Sequence, residues 1–142
     1  MMAVRKSEAV WKGTLKEGGG TMRLGSGAYQ GAYSFSSRFE EGSGTNPEEL
    51  IAAAHAGCFS MAFSGNLTKA GFIPEQIHTV ASVSLGVIDG KAQITGIHLA
   101  CEAKVDGVSE AAFQEMAEAA KSGCPVSIAL SNVPMTLDAK LL

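Results

Sequence analysis

The sequence predicts an α+β fold, antiparallel β-sheet with helices packed on it. Three features carry that expectation. Segments at both ends of the chain alternate between apolar and polar residues, the period of half-covered strands. A sharply marked helix start at Asn46-Pro47 opens onto an uncharged run from Leu50 to Thr68. Two further alternating segments, Ile77 to Val87 and Ala92 to Val105, flank the turn pair Asp89-Gly90. The 142 residues fit one domain, 1–142, without repeat or linker, and a hydrophobic content of 46% argues against disorder.

The first element is read as a hairpin from Glu8 to Leu24. Ala9, Trp11, Gly13 and Leu15 alternate with Val10, Lys12, Thr14 and Lys16, Glu17-Gly18-Gly19-Gly20 turns the chain, and Thr21 to Leu24 returns it. After the loop Gly25-Ser26-Gly27, Tyr33 to Phe39 is expected as a short strand anchored by Tyr33, Phe35 and Phe39, with Arg38 at its end. The long helix follows. Asn46 is its N-cap, Pro47 takes the first helical position where a missing N–H costs nothing, and Glu49 falls at the capping-box position. Gly71 is the expected stop, with Pro74 beyond it. A helix without charge along its middle is expected to be buried on most sides. Its content of Ala, Ser and Gly, with His55 and Asn66, reads as a core helix rather than a membrane span.

The Asp89-Gly90 hairpin poses a parity problem. In a plain two-residue hairpin Leu85 pairs with Ile94, and Leu99 and Cys101 then fall on the opposite face. Either a bulge near Gly96 shifts the parity, or both faces are covered in different places. Ser109 caps the next helix, with Phe113, Met116, Ala117 and Ala120 inward and Gly123 at its end. Cys124-Pro125 reads as an N-cap and first-turn proline opening a short helix to about Leu130. Val133, Met135 and Leu137 close the chain as a strand.

Composition excludes several functions. A formal net charge of −3 without a basic run gives no reason to expect nucleic acid or an anionic membrane as partner. The N-terminal residues carry no apolar run of the signal-peptide kind, and three cysteines without a C-x-x-C pair make neither a secreted disulfide framework nor a standard zinc site. A cytoplasmic protein without metal or cofactor is expected.

Cys58 is the first chemical candidate. Free cysteines are commonly buried and inert; a reactive one needs a positive neighbour to hold the thiolate, and no Lys or Arg lies between Leu50 and Thr68. Arg38 is the nearest upstream cation. His55, three residues before Cys58, shares a helical face with it and would complete a Cys-His hydrolase pair, or else is a packed histidine with its ring hydrogen-bonded. Glu48 and Glu49 suit the positive end of the helix dipole. Glu48 precedes Cys58 by ten residues, roughly 15 Å along a straight helix. If both serve one site, the helix is distorted or the carboxylate comes from a second chain. Cys124 at a helix start has either a lowered pKa or a purely spatial role in the Gly-Cys-Pro corner, and Cys101 reads as structural.

Thr45-Asn46-Pro47-Glu48-Glu49-Leu50, then Ala53-Ala54-His55-Ala56-Gly57-Cys58-Phe59-Ser60-Met61, with Gly123-Cys124-Pro125-Val126-Ser127 downstream, closely resembles the osmotically inducible protein C (OsmC) branch of the OsmC / organic hydroperoxide resistance proteins. The resemblance covers essentially the whole chain. It implies a thiol-dependent peroxidase acting as an intertwined homodimer with two sites at the interface. By position, Cys58 matches the peroxidatic cysteine, Cys124 the resolving one, Glu48 the family's glutamate and Arg38 the arginine that stabilises the thiolate. The implied substrate is an organic hydroperoxide and the implied reductant a dithiol, in this family a dihydrolipoyl protein. Phe59, Met61 and Phe63 are expected to line an apolar mouth. The competing classes are the Cys58/His55 hydrolase and a non-enzymatic ligand-binding dimer with inert thiols.

Overall fold

A computed structural model describes residues 2–142. They form two compact units, one up to Leu50 and the other Ile51–Leu142. In the first, β1 (Ser7–Lys12), β2 (Gly19–Leu24) and β3 (Gln30–Tyr33) make an antiparallel sheet in that order. The expected hairpin is present, but Gly19 and Gly20 belong to the return strand rather than to the turn. Gly20 pairs with Trp11, and a Cβ there would strike the Val10 carbonyl and both the Trp11 and Tyr33 rings. Glycine lets those rings meet at a centroid distance of 5.2 Å.

The strand expected over Tyr33–Phe39 is corrected. Only Tyr33 is in a strand, and Phe35–Phe39 is a short helix, α1. The cause is Ser34: its hydroxyl accepts from the Ser37 N–H at 3.1 Å, and the Ser37 hydroxyl accepts from the Ser34 N–H at 2.8 Å, a reciprocal capping box. Alternating aromatics suggested a strand, whereas at four-residue spacing Phe35 and Phe39 stack on the helix, centroids 4.9 Å apart.

Helix α2 runs Pro47–Lys69 without interruption. The Asn46 side chain accepts from the Glu49 N–H at 2.8 Å, as expected of the N-cap. The reciprocal half of the box is missing, because the Glu49 carboxylate is taken by the Thr45 hydroxyl at 2.6 Å. The stop is a Schellman-type end: Gly71 has φ +91°, Phe72 N–H donates to the Leu67 carbonyl at 2.9 Å and Gly71 N–H to Thr68 at 3.0 Å.

In the second unit, β4 (Pro74–Ile88), β5 (Lys91–Val105) and β6 (Met135–Leu141) form a mixed sheet, and α3 (Glu110–Gly123) and α4 (Pro125–Ala129) lie between β5 and β6 in the chain. Asp89 and Gly90 both have positive φ, as a type I′ turn requires. The register shifts between Ser84 and Leu85, opposite Gly96: Leu85 pairs with Ile94, but Val83 pairs with Ile97. A bulge therefore resolves the parity problem, and Ile94, Ile97, Leu99 and Cys101 all reach one face. The closing strand pairs parallel to β5 rather than antiparallel, a crossover that the two intervening helices make possible, and it begins at Met135, beyond Val133.

The core of this unit joins Phe59, Phe63 and Leu67 of α2 to Leu99, Cys101 and Ala103 of β5 and to Phe113 and Ala117 of α3. Phe63 meets Phe113 edge-on at 5.2 Å. The expectation that α2 is covered on most sides needs correction. His55, Phe59, Phe63 and Leu67, four residues apart, are fully buried, whereas Ala54, Gly57, Met61, Gly65 and Thr68 on another stripe are exposed, Met61 by 79%. The helix is long and apolar enough to cross a membrane by length and composition. Its aromatic stripe is engaged in the protein core.

Candidate active site

Arg38 and Glu48 come together within the first unit. The Arg38 Nη2 donates to Glu48 Oε1 at 2.7 Å and its Nε to Oε1 and Oε2 at 3.0 and 3.3 Å, a forked contact of guanidinium with carboxylate. Local structure holds both partners. Glu48 sits in the first turn of α2, where the dipole favours a carboxylate, and its side chain is only 8% exposed. Arg38 ends α1, which is tied to the start of α2 by the Ser37 hydroxyl donating to the Thr45 carbonyl at 2.7 Å and the Asn46 amide donating to the Ser37 carbonyl at 3.0 Å. Arg38 remains partly open to solvent, its guanidinium 5.4 Å from the Phe39 ring centre. Beside it lies a recess of about 190 Å³ walled by Trp11, Leu15, Tyr33, Phe35 and Phe39.

Cys58 and Cys124 come together within Ile51–Leu142. Cys58 is half-buried on α2, Cys124 fully buried at the junction of α3 and α4, and both are free thiols. Burial pushes the Cys58 thiol up, the Val126 backbone N–H pulls it down, and the neighbouring Cys124 thiol pushes it up again. No positive charge of this unit acts on it. Cys124 caps α4 as expected: its sulfur accepts from the Ser127 N–H at 3.4 Å and lies 3.1 Å from the Ser127 hydroxyl. Cys101 is core, paired across the strands with Thr79, and its thiol pKa is raised by burial.

Ser127 is the residue that sequence reasoning passed over as a site. Its hydroxyl contacts not only Cys124 but also His55 Nε2, at 2.7 Å, while His55 Nδ1 is buried with no partner. His55 hydrogen-bonds Ser127, and no hydrogen bond joins it to Cys58 among the described residues, so the Cys58/His55 hydrolase pair is not formed. The available signal was positional, a serine at the third helical position after a cysteine N-cap. Phe59 and Phe63, expected in an apolar mouth, are fully buried in the core; Met61 alone of the three is open.

An α+β protein with a pair of neighbouring free thiols in one unit and an arginine–glutamate fork in the other is thus defined by its own geometry. The comparisons narrow the class to a family. The model of the family described as OsmC-like protein matches residues 40–138. The chain is 48% identical over 138 residues to peroxiredoxin OsmC of Escherichia coli (strain K12), covering 96% of each. It is 34% identical over 98 residues to an organic hydroperoxide resistance protein of Xanthomonas axonopodis pv. citri (strain 306), covering 68% of this chain and 67% of that one. The structure is similar to the organic hydroperoxide resistance protein OhrB of Bacillus subtilis, with TM-score 0.75, 25% identity and coverage of 95% and 98%. An OsmC-like protein from Mycoplasma pneumoniae shares the fold, with TM-score 0.77 at 17% identity and coverage of 100% and 99%. The chain belongs to the OsmC-like protein family.

Proposed function

We propose that this chain is a thiol-dependent peroxidase that reduces organic hydroperoxides, and hydrogen peroxide less well, in cytoplasmic defence against oxidative and osmotic stress. The observation that carries the reading is the meeting of Cys58 and Cys124, two free thiols of which one is accessible and the other buried beside it. The names of the relatives, peroxiredoxin and organic hydroperoxide resistance protein, support it. The Cys58 thiolate attacks the peroxide oxygen distal to the organic group. The O–O bond breaks, the alkoxide leaves as an alcohol after taking a proton, and Cys58 becomes a sulfenic acid. Cys124 displaces its hydroxyl as water, closing a disulfide that an external dithiol, in our reading a dihydrolipoyl protein, reopens by exchange. No cofactor is needed.

Burial and Cys124 both hold the Cys58 proton on, so a cation must hold the thiolate. Arg38, oriented by Glu48, is that cation in this reading, and it comes from a second copy. Two observations support a homodimer. Glu48 and Cys58 are ten residues apart on one unbroken helix, roughly 15 Å. The open stripe of α2 around Met61 is uncharged and unpaired. Residues 1–142 then act as one domain of an intertwined pair, with two sites. The aromatic recess beside Arg38 takes the organic group of the substrate.

The test is peroxide turnover with cumene hydroperoxide and a dihydrolipoyl reductant. Cys58→Ser is expected to abolish it, and Cys124→Ser to leave a sulfenate that a dimedone probe traps and excess peroxide over-oxidises. Full turnover by Cys58→Ser protein sinks the reading. Slow modification of both thiols in the native protein favours an inert, ligand-binding dimer instead.

A further inference from the structure

His55 is a buried titratable group for which the peroxidase cycle above has no task. Three atoms lie in sequence: His55 Nε2 is 2.7 Å from the Ser127 hydroxyl, which is 3.1 Å from the Cys124 sulfur. The residues are buried, His55 and Cys124 completely and Ser127 to 6% exposure, so solvent cannot readily take a proton from Cys124. A hydroxyl has one proton and two lone pairs, so Ser127 can accept from one neighbour while it donates to the other. With Cys124 as a thiol, S–H donates to the serine oxygen and the serine O–H donates to Nε2. In that arrangement the imidazole proton sits on Nδ1, which has no partner among the described residues.

We propose that Ser127 and His55 form a proton relay that ionises Cys124 for disulfide closure, a role that rests on the two-cysteine reading above. Ser127 touches the reacting sulfur; His55 acts through it and is a positioning residue and proton acceptor. The Cys124 proton passes to the Ser127 oxygen while the Ser127 proton passes to Nε2. The chain then holds a thiolate, a serine O–H pointing at it, and an imidazolium. The Cys124 sulfur attacks the Cys58 sulfur, the S–O bond of the sulfenic acid breaks, and the departing hydroxide takes back one proton through Ser127 to leave as water. Sulfur oxidation states balance between the two cysteines, and no further oxidant enters. The Ser127 backbone N–H, 3.4 Å from the Cys124 sulfur, stabilises the thiolate at every stage. Desolvation lowers the His55 pKa, so the resting ring is neutral and the imidazolium, once formed, returns its proton readily to the departing hydroxide. During reduction the same atoms run backwards, giving the Cys124 leaving group a proton.

The test separates closure from the oxidation of Cys58. The full-length protein is mixed with one equivalent of cumene hydroperoxide, acid-quenched at intervals, and mapped for sulfenate and for the Cys58–Cys124 peptide. A parallel series uses diamide, which oxidises Cys58 without any peroxide. His55→Gln retains a hydrogen-bonding group towards Ser127 but no base, and Ser127→Thr retains the hydroxyl while Ser127→Ala removes it. In both series closure, measured relative to the first step, is expected to slow on the order of a hundredfold in His55→Gln and Ser127→Ala, the scale of a positioned proton transfer. Ser127→Thr is expected to restore most of that loss, which a merely structural serine would not require. Closure at the wild-type rate in folded His55→Gln, judged by circular dichroism, overturns the relay. If the wild-type chain closes its disulfide with diamide but never reacts with peroxide, the peroxidase reading fails while the diamide series still decides the relay. If it closes with neither, the relay falls too.

Discussion

At the scale of single residues, the Arg38–Glu48 fork and the Cys58 thiol impose opposite demands. Burial keeps Cys58 protonated, and a guanidinium favours its anion. Arg38→Ala is therefore expected to slow the first reaction with peroxide about tenfold to a hundredfold, the reach of one nearby cation on a thiol. Arg38→Lys recovers only part, because an ammonium cannot fork onto the Glu48 carboxylate. Stopped-flow oxidation of Cys58 measures both. His55 adds a pH dependence to stability. Its folded-state pKa lies below the ordinary 6.5, so below that pH the unfolded chain binds the proton more readily than the folded one. This contribution is complete above pH 6.5 and declines as the pH falls towards the lowered value. His55→Gln removes it, and urea unfolding at pH 7 and pH 5.5 is expected to show a smaller acid loss in the variant; an equal loss would show that His55 does not carry it.

At the scale of elements, α2 shows what a sequence discloses and what it hides. Its ends were legible because capping chemistry is local: the Asn46 side chain accepts from the Glu49 N–H, Pro47 fixes its own φ, and Gly71 takes a positive φ. Asn46→Ala is expected to cost about 1 kcal/mol in chemical denaturation, the usual worth of an N-cap. Phe63→Ala, emptying a position between α2 and α3, should cost about 3–5 kcal/mol by the same measurement. Which sides of α2 are covered was not legible, since an uncharged helix looks alike whether its own chain or another covers it. Parity across β4 and β5 left a bulge as one of two options, and only the pairing of Val83 with Ile97 decides between them. The short helix α1 was misread because aromatic alternation and the Ser34–Ser37 capping box compete over the same residues, and the box prevails. Of the four candidate site residues, Glu48, Cys58 and Cys124 were recognisable in two motifs, and Arg38 only as the nearest upstream cation. The Ser127–His55 contact joins residues 72 positions apart and has no local signature.

For the whole molecule, the proposed dimer would make one site out of the thiol pair and the Arg38–Glu48 fork. Met61 lies on the open, uncharged stripe of α2, so Met61→Glu is expected to leave the chain folded while shifting sedimentation from dimer to monomer. Peroxidase activity should fall with it, since in the proposed dimer Arg38 of the second copy is then withdrawn from Cys58. An active monomer would show instead that a single chain suffices. Everything else rests on the oxidation of one cysteine pair. The measurement that bears on it most directly is a thiol count with peptide mapping after one equivalent of cumene hydroperoxide. The account predicts that each chain loses two thiols, releases one equivalent of alcohol and yields the Cys58–Cys124 cross-link, with Cys101 still reduced. An unchanged thiol count, or a cross-link through Cys101, would contradict it.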